Sequence, residues 1–397
     1  MNLFLSKEKG LDSYLDKAIW FSIIALISTA IFSIALLQIF TSSAIILWIV
    51  KIIVTKNYTF VKTPLDKIFL IFIAARILSI PLSLYPEISY IRFLKEIIFY
   101  TIFFVVTNEF DVTNRKKIIL VLRLIIITGI VSSVYGCFNF LTGSVERATS
   151  LTGGYYTLGI YLTLVLSILL FTKKGKNLIP TNIGWYFSVL IIISGIICTL
   201  NRMHWVLMVF LIVISFIINK DKILITGFIL LVILSILIIP DIMNRFDLLI
   251  NLMSNTSDRN IIYQAALDMV FNRPIFGHGL ATFKEIFPSF DKVGDGAINS
   301  WHNDFIQVYM ESGIVGLFSY VFLIISVLKI GYINIKRFFN NQFYKSISIG
   351  ILISTTVLMI TGGFFDPITS IIIFVMLGLL SLISSNSESI IETEKLN

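Results

Sequence analysis

The stretch Ala18–Val54, AIWFSIIALISTAIFSIALLQIFTSSAIILWIVKIIV, decides the fold. In 37 residues its only charge is Lys51, near its end. The hydrocarbon core of a bilayer takes a helix of about 20 residues. The stretch therefore reads as two crossings, split near Gln38. Lipid offers no partner to a backbone N–H or C=O, so only helices and closed barrels span it. Apolar runs this long and continuous are not barrel strands.

Ten further runs of the same kind follow, at about Lys67–Leu84, Ile91–Thr107, Ile118–Leu141, Tyr155–Phe171, Asn182–Leu200, His204–Ile218, Ile223–Ile239, Asp304–Leu328, Ser346–Thr361 and Pro367–Ile383. The expected fold class is all-α: a polytopic transmembrane helical bundle of about 12 spans, one integral membrane domain over residues 1–397. Composition agrees, with 57% hydrophobic and 14% charged residues, against about 25% charged in soluble domains. The first span reads as an uncleaved signal anchor, because no short apolar region with a small-residue cleavage site precedes it.

The net charge of +8 reads as a topology signal rather than as an affinity for nucleic acid. With the N-terminus in the cytoplasm, 20 of the Lys and Arg residues fall on inner segments and nine on outer ones, with Arg76 and Arg123 inside spans. This bias puts both termini in the cytoplasm. The two cysteines, Cys137 and Cys198, indicate neither a disulfide framework nor a metal cluster.

One connection is long. Residues 240–303 form an outer, periplasmic loop, and loops of that length in a compact protein are functional or disordered. It contains SDRNIIYQAALDMVFNRP, in which Ile262, Ala265, Ala266, Met269 and Val270 line one helical face. Ser257 or Asp258 can cap this amphipathic helix and Pro274 ends it. Its Arg259 and Tyr263 are expected to face away from the apolar stripe.

The outer basic residues are mostly Arg, the inner ones mostly Lys. Arg offers a planar fork that grips phosphate or carboxylate oxygens. Arg147, Arg202 and Arg259 each stand near a helix end on the outer side and can converge on an anionic headgroup. They would equally serve as interfacial residues that snorkel, and the residues alone leave both readings open. A second constellation is PIFGHGLATF followed by SWHNDFIQVYMESGIVGL. Pro274, Gly277 and Gly279 mark a sharp turn. Asp304, Gln307 and Glu311 share one face of a helix, where an acid as deep as Glu311 faces protein or water. Gly313 and Gly316 permit close helix packing.

Histidine takes a proton near neutral pH. Spacing alone favours an ordinary hydrogen-bonding role for each of the three. His302 is set apart by its polar neighbours at the loop junction, which suit a general base. His278, between two glycines, reads as structural and His204 as a span-end residue. Asp291 and Asp295 are spaced for a turn, and no Asp pair for a divalent metal is evident. No HExxH, CxxC, GxxxxGK[ST] or GxSxG motif occurs.

DRNIIYQAALDMVFNRPIFGHGLATF and HNDFIQVYMESGIVGL resemble the bacterial O-antigen ligase and O-antigen polymerase superfamily, in its Arg–helix–Pro–Gly-x-Gly pattern and its His-Asn, Glu-x-Gly signature. RATSLTGGYYTLGIYLTL and TLNRMHW are similar to the two earlier arginine positions of that superfamily. Asn201 and Met203 flank Arg202 where Ser and Gly are usual. Residues 142–383 form the ligase-like region.

The resemblance implies transfer outside the cell inner (cytoplasmic) membrane without a metal or other cofactor. The donor would be a glycan on undecaprenyl diphosphate. The acceptor would be a sugar hydroxyl, of lipid A–core for a ligase or of a second lipid-linked glycan for a polymerase. It further implies that Arg202 and Arg259, helped by Arg147, hold the diphosphate, that His302 takes the acceptor's proton, and that Asn303, Glu311, Gly277 and Gly279 support the site. A transporter of the same lipid would show charges strung through several spans, whereas only Arg76, Glu96 and Arg123 lie deep. A scaffold leaves the His302 and Arg259 motifs without purpose.

Overall fold

A computed structural model describes residues 2–55, 58–173, 178–239, 242–243, 259–288 and 300–395. Among these residues the chain is helical, without strands. In order, the helices are α1 Asn2–Thr29, α2 Ile34–Val54, α3 Asp66–Ser79, α4 Pro86–Glu109, α5 Arg115–Leu141, α6 Tyr155–Thr172, α7 Asn182–Cys198, α8 Arg202–Asn219 and α9 Lys222–Ile238. Then follow α10 Arg259–Met269, α11 Phe283–Ile286, α12 Asp304–Arg337, α13 Gln342–Thr361, α14 Pro367–Ser385 and α15 Ser387–Lys395.

Helices α1 to α9 and α12 to α14 fall on the twelve apolar runs. Seven of them, α2, α5, α6, α8, α12, α13 and α14, are long and apolar enough to cross a membrane, and α7 and α9 are shorter apolar helices. The protein is thus a helical membrane protein. The first boundary differs from expectation. The chain turns at residues 30–33, not near Gln38, because the Ser33 hydroxyl accepts the Leu36 N–H at 3.2 Å and starts α2 there.

Helix ends sort into two groups, as an up-and-down bundle requires. At one end Leu84 N donates to His278 O, Ala148 N to Cys198 O and the Tyr156 hydroxyl to Thr361 O. At the other, Lys51 pairs with Asp16 and Glu109, the Tyr344 hydroxyl donates to Val112 O, and Lys173 pairs with Asp221. Each pairing compensates a charge or a chain end that lipid cannot solvate.

The core lies along α6 and α14. All residues of α6 from Leu158 onward and of α14 from Ile368 to Ser384 are buried. Aromatic rings of α3, α4, α12 and α14 pack edge to face beside them, with Phe72 6.0 Å from Tyr100 and Tyr100 5.5 Å from Phe374. By contrast α8 and α9 expose Val206, Phe210, Ile229, Ile233 and Leu237, as lipid-facing helices do.

Close approach of α5 to α7 depends on Gly195. A Cβ there would meet Ser133 Oγ at 2.2 Å and Leu162 Cδ1 at 2.7 Å. Gly195→Val should lower stability by about 1–3 kcal/mol, read from thermal unfolding in detergent. Gly227→Ala, whose Cβ meets only Leu190 Cδ2 at 3.8 Å, should leave the melting temperature unchanged or slightly raised.

Candidate functional site

The site grows from a defect in α12. Asn303 caps this helix, its side-chain oxygen accepting from Phe305 N at 2.9 Å and Ile306 N at 3.2 Å. His302 precedes the cap in the left-handed region, at φ 52°, a conformation uncommon for residues other than glycine. Asn303 is therefore the group that fixes where His302 leaves the helix.

Below His302 the helix interrupts itself. Gly313 sits at φ 62°, ψ −160°, so the backbone groups around it lose their helical partners. The loop carrying Gly277 and Gly279 supplies replacements. His278 N donates to Met310 O at 2.7 Å and Gly279 N to Glu311 O at 3.0 Å, while Ile314 N donates to Pro274 O at 2.7 Å and Val315 N to Ile275 O at 3.3 Å. Gly313 was expected to ease helix packing. It opens the helix instead, and the packing partner is a loop.

Contact this close needs glycine on both sides. A Cβ on Gly277 (φ 73°) would lie 2.5 Å from the Glu311 carbonyl carbon, and one on Gly313 would lie 2.3 Å from the Ile275 carbonyl. Gly279 (φ 110°) faces Ser83, whose Oγ would be 1.9 Å from an added Cβ. The Ser83 hydroxyl donates to His278 O at 2.9 Å, which pins the loop to the α3–α4 turn as well.

Helix α10 packs over the first turns of α12. Ile262, Ala265 and Ala266 are buried with Phe283, Phe287, Trp301 and Met310, as the periodicity predicts. Tyr263 departs from expectation. It turns inward, packs on the same cluster, and its hydroxyl donates to His302 O at 3.4 Å. The Tyr309 hydroxyl holds Val270 O at 2.7 Å. Arg259 is the first residue of α10. Its side chain lies outside the described part, as do the residues Ser257, Asp258, Asp291 and Asp295.

Arg147 and Arg202 form a second group. Arg202 opens α8, with Asn201 as the cap accepting from Met203 N at 3.1 Å. Ala148 N donates to Cys198 O at 2.9 Å, which ties the Arg147 loop to the α7–α8 turn. The Arg147 guanidinium lies 4.4 Å from the centre of the Tyr155 ring. Contacts run on from there to α12. Thr157 Oγ1 donates to Asp366 Oδ2 at 3.0 Å, and Phe364 N donates to Asp304 Oδ2 at 3.1 Å. Both groups accordingly stand at one end of the bundle.

Glu311 is buried, and its partners went unseen in the sequence. Its Oε2 lies 2.7 Å from Arg76 Nη2, and its Oε1 accepts Ala281 N at 2.9 Å and the Gln307 amide. Arg76 also binds Glu96, at 2.8 Å. Deep charges were legible at Arg76 and Glu96, but nothing local paired them with Glu311, far along the chain. His204 stands in the first turn of α8, at the end of its span, and is buried against Gly159 with its Nδ1 3.3 Å from Thr163 Oγ1. Among the described residues no three His, Cys, Asp or Glu side chains gather as metal ligands would.

Burial, then the nearby Arg273, hold the His278 imidazole below its ordinary value of 6.5. The unfolded chain therefore binds more protons than the folded one just below that pH. Loop docking is fully stable above about 6.5 and weakens as pH falls through the lowered value. The melting temperature should decline on acidification below pH 6.5, and less so in His278→Gln. Gly277→Ala should cost about 1–3 kcal/mol through its positive φ alone, measured by the same melting curves.

Residues 187–321, about a third of the chain, match the sequence model of the O-antigen ligase family. The matched segment takes in the α7–α8 turn, α10, the glycine loop and the break in α12. No curated protein matches the chain.

Proposed function

We propose, for a chain whose residues 187–321 match the O-antigen ligase family model, that it belongs to the O-antigen ligase and polymerase superfamily and is a membrane glycosyltransferase with its site at the extracytoplasmic end of the bundle. The donor is a glycan on undecaprenyl diphosphate and the acceptor is a sugar hydroxyl. The first reading is an O-antigen ligase of lipopolysaccharide biosynthesis, with lipid A–core as acceptor. The second is a repeat-unit polymerase acting on another lipid-linked glycan. The protein sits in the cell inner membrane with both termini in the cytoplasm, and the site faces the periplasm.

The observation that carries this reading is the docking of the glycine loop onto the α12 break. It holds α10, which Arg259 begins, against the turn that presents His302. In the reaction the acceptor oxygen bonds to the anomeric carbon while the carbon–oxygen bond to the diphosphate breaks. His302 takes the acceptor's proton, and undecaprenyl diphosphate leaves carrying the electron pair. Charge develops on that leaving group, and fixed guanidinium groups stabilise it without reorganising. Arg259 and Arg202 hold the diphosphate, with Arg147 beside Tyr155 assisting. Asn303 and Glu311 act on the reaction by fixing the α12 end, and Gly277 and Gly279 by admitting the loop.

Two apolar grooves suit two lipid-borne reactants. One, of 420 Å³, lies among α7, α8 and α9, where Trp205 and Met208 line it one to two turns from Arg202. The other, of 460 Å³, lies between α10 and α12 and is lined by Tyr263, Ala266, Phe305 and Tyr309. Each opens beside one group of candidate residues.

Purified protein given lipid-diphosphate glycan and candidate acceptors should transfer the glycan. His302→Ala and Arg259→Ala should each slow it by about 100-fold or more. Undiminished transfer by both variants would refute the mechanism, and the acceptor consumed separates ligase from polymerase. Reporter fusions should read cytoplasmic at Lys174 and extracytoplasmic at Asp291. A cytoplasmic signal at Asp291 would overturn the site assignment.

A further inference from the structure

Arg76 has no exposed surface, stands in α3 outside the matched segment, and has no part in the chemistry above. It nevertheless touches three of the elements that shape the site. Its Nε and Nη2 bind Glu96 of α4 at 3.2 Å and 2.8 Å. Its Nη2 reaches Glu311 at 2.7 Å and its Nη1 the Ser312 hydroxyl at 3.3 Å, both just ahead of the Gly313 break. Its guanidinium carbon lies 5.0 Å from the centre of the Phe365 ring, in the turn that leads into α14.

The cluster is balanced. Glu96 also accepts Arg92 Nε at 2.9 Å and the Tyr100 hydroxyl at 2.7 Å. Two arginines thus face two carboxylates. Burying such a group seldom adds stability over an apolar packing of equal volume, because desolvation offsets the attraction. What a planar fork does supply is direction. It fixes one rotamer of Glu311, and that rotamer is read in two places.

One reading is at the loop, where Glu311 Oε1 accepts Ala281 N at 2.9 Å. The other runs upward along α12. The Gln307 amide nitrogen donates to the same Glu311 oxygen, and Gln307 Oε1 accepts Trp301 N at 3.1 Å. Trp301 adjoins His302. A continuous line of side chains therefore joins a buried guanidinium to the backbone of Trp301, next to the residue with φ 52°.

We propose that Arg76 is a positioning residue of the transfer site, which acts through Glu311 and Gln307 to set the His302 turn and the seat of the glycine loop. Its effect on turnover rests on the glycosyltransferase reading; its effect on the loop does not. Misplacement of a reacting group by about 1 Å can cost about 100-fold in rate.

The test uses the full-length protein in lipid nanodiscs. Arg76→Met combined with Glu311→Leu removes one charge of each sign and keeps the volume, so it should fold with a melting temperature near that of the parent. Gln307→Leu cuts the line at its neutral link. In the first variant the backbone amides of residues 277–282, and in both variants those of residues 301–303, should exchange with deuterium at least tenfold faster without any substrate. With lipid-diphosphate glycan, kcat should fall about 100-fold while KM for the donor stays within threefold. Folded variants with parental exchange and parental kcat would overturn the proposal, as would a loss confined to KM. Faster exchange in variants of a parent that transfers no glycan would uphold the positioning of the loop and refute the glycosyltransferase reading.

Discussion

The rest of the site depends on a helix that stops obeying its own hydrogen-bond pattern. At Gly313 the backbone of α12 leaves the helical region. Inside an apolar bundle an unpaired N–H or C=O is costly, and irregular backbone persists only where protein satisfies it. Here four loop–helix hydrogen bonds do so. Because those bonds are backbone to backbone, they leave little freedom in how the loop sits, and α10, only a few residues upstream, inherits that placement.

Electrostatics then decide the orientation of what backbone pairing brings together. Glu311 is held from three directions, by Arg76, Ala281 N and Gln307. Asp304, on the same helix face, is directed to the turn before α14 by Phe364 N. These two carboxylates, one turn from Gln307 on either side, bind α12 to the turn before α14 and to α3 with the glycine loop. His302 and Asn303 emerge from a helix end that is fixed by both attachments. At the other end of the bundle the charged pairs Lys51–Glu109 and Lys173–Asp221 close turns and face away from this region.

Much of the fold was legible because lipid imposes one rule on every span. Apolar runs of sufficient length located the helices, and the caps at Asn303, Asp366 and Asn201 appear where polar residues precede those runs. The α1–α2 turn was misplaced because an apolar stretch hides its own break, and Ser33 is only one of several serines within it. At the site, the loop of Gly277 and Gly279 meets the Glu311 turn of α12 through backbone hydrogen bonds, and His302 and Asn303 precede the first residue of the same helix. Periodicity misjudged Tyr263, whose polar tip seeks the His302 carbonyl while its ring stays on the apolar cluster. Gly313 was mistaken for a packing glycine because its positive φ leaves no trace in the sequence. Arg76 was visible as a deep charge, but pairing between α3 and α12 is a tertiary fact.

The most direct measurement is an electron cryo-microscopy structure of the protein in nanodiscs with undecaprenyl diphosphate. Diphosphate density is expected at the bundle end where His302 and the α8 N-terminus stand, within hydrogen-bond reach of Arg202 and Arg259, with the glycine loop seated on the Gly313 break. Density at the opposite end, beside Lys173 and Asp221, or a bound diphosphate touching none of the three arginines, would contradict this placement.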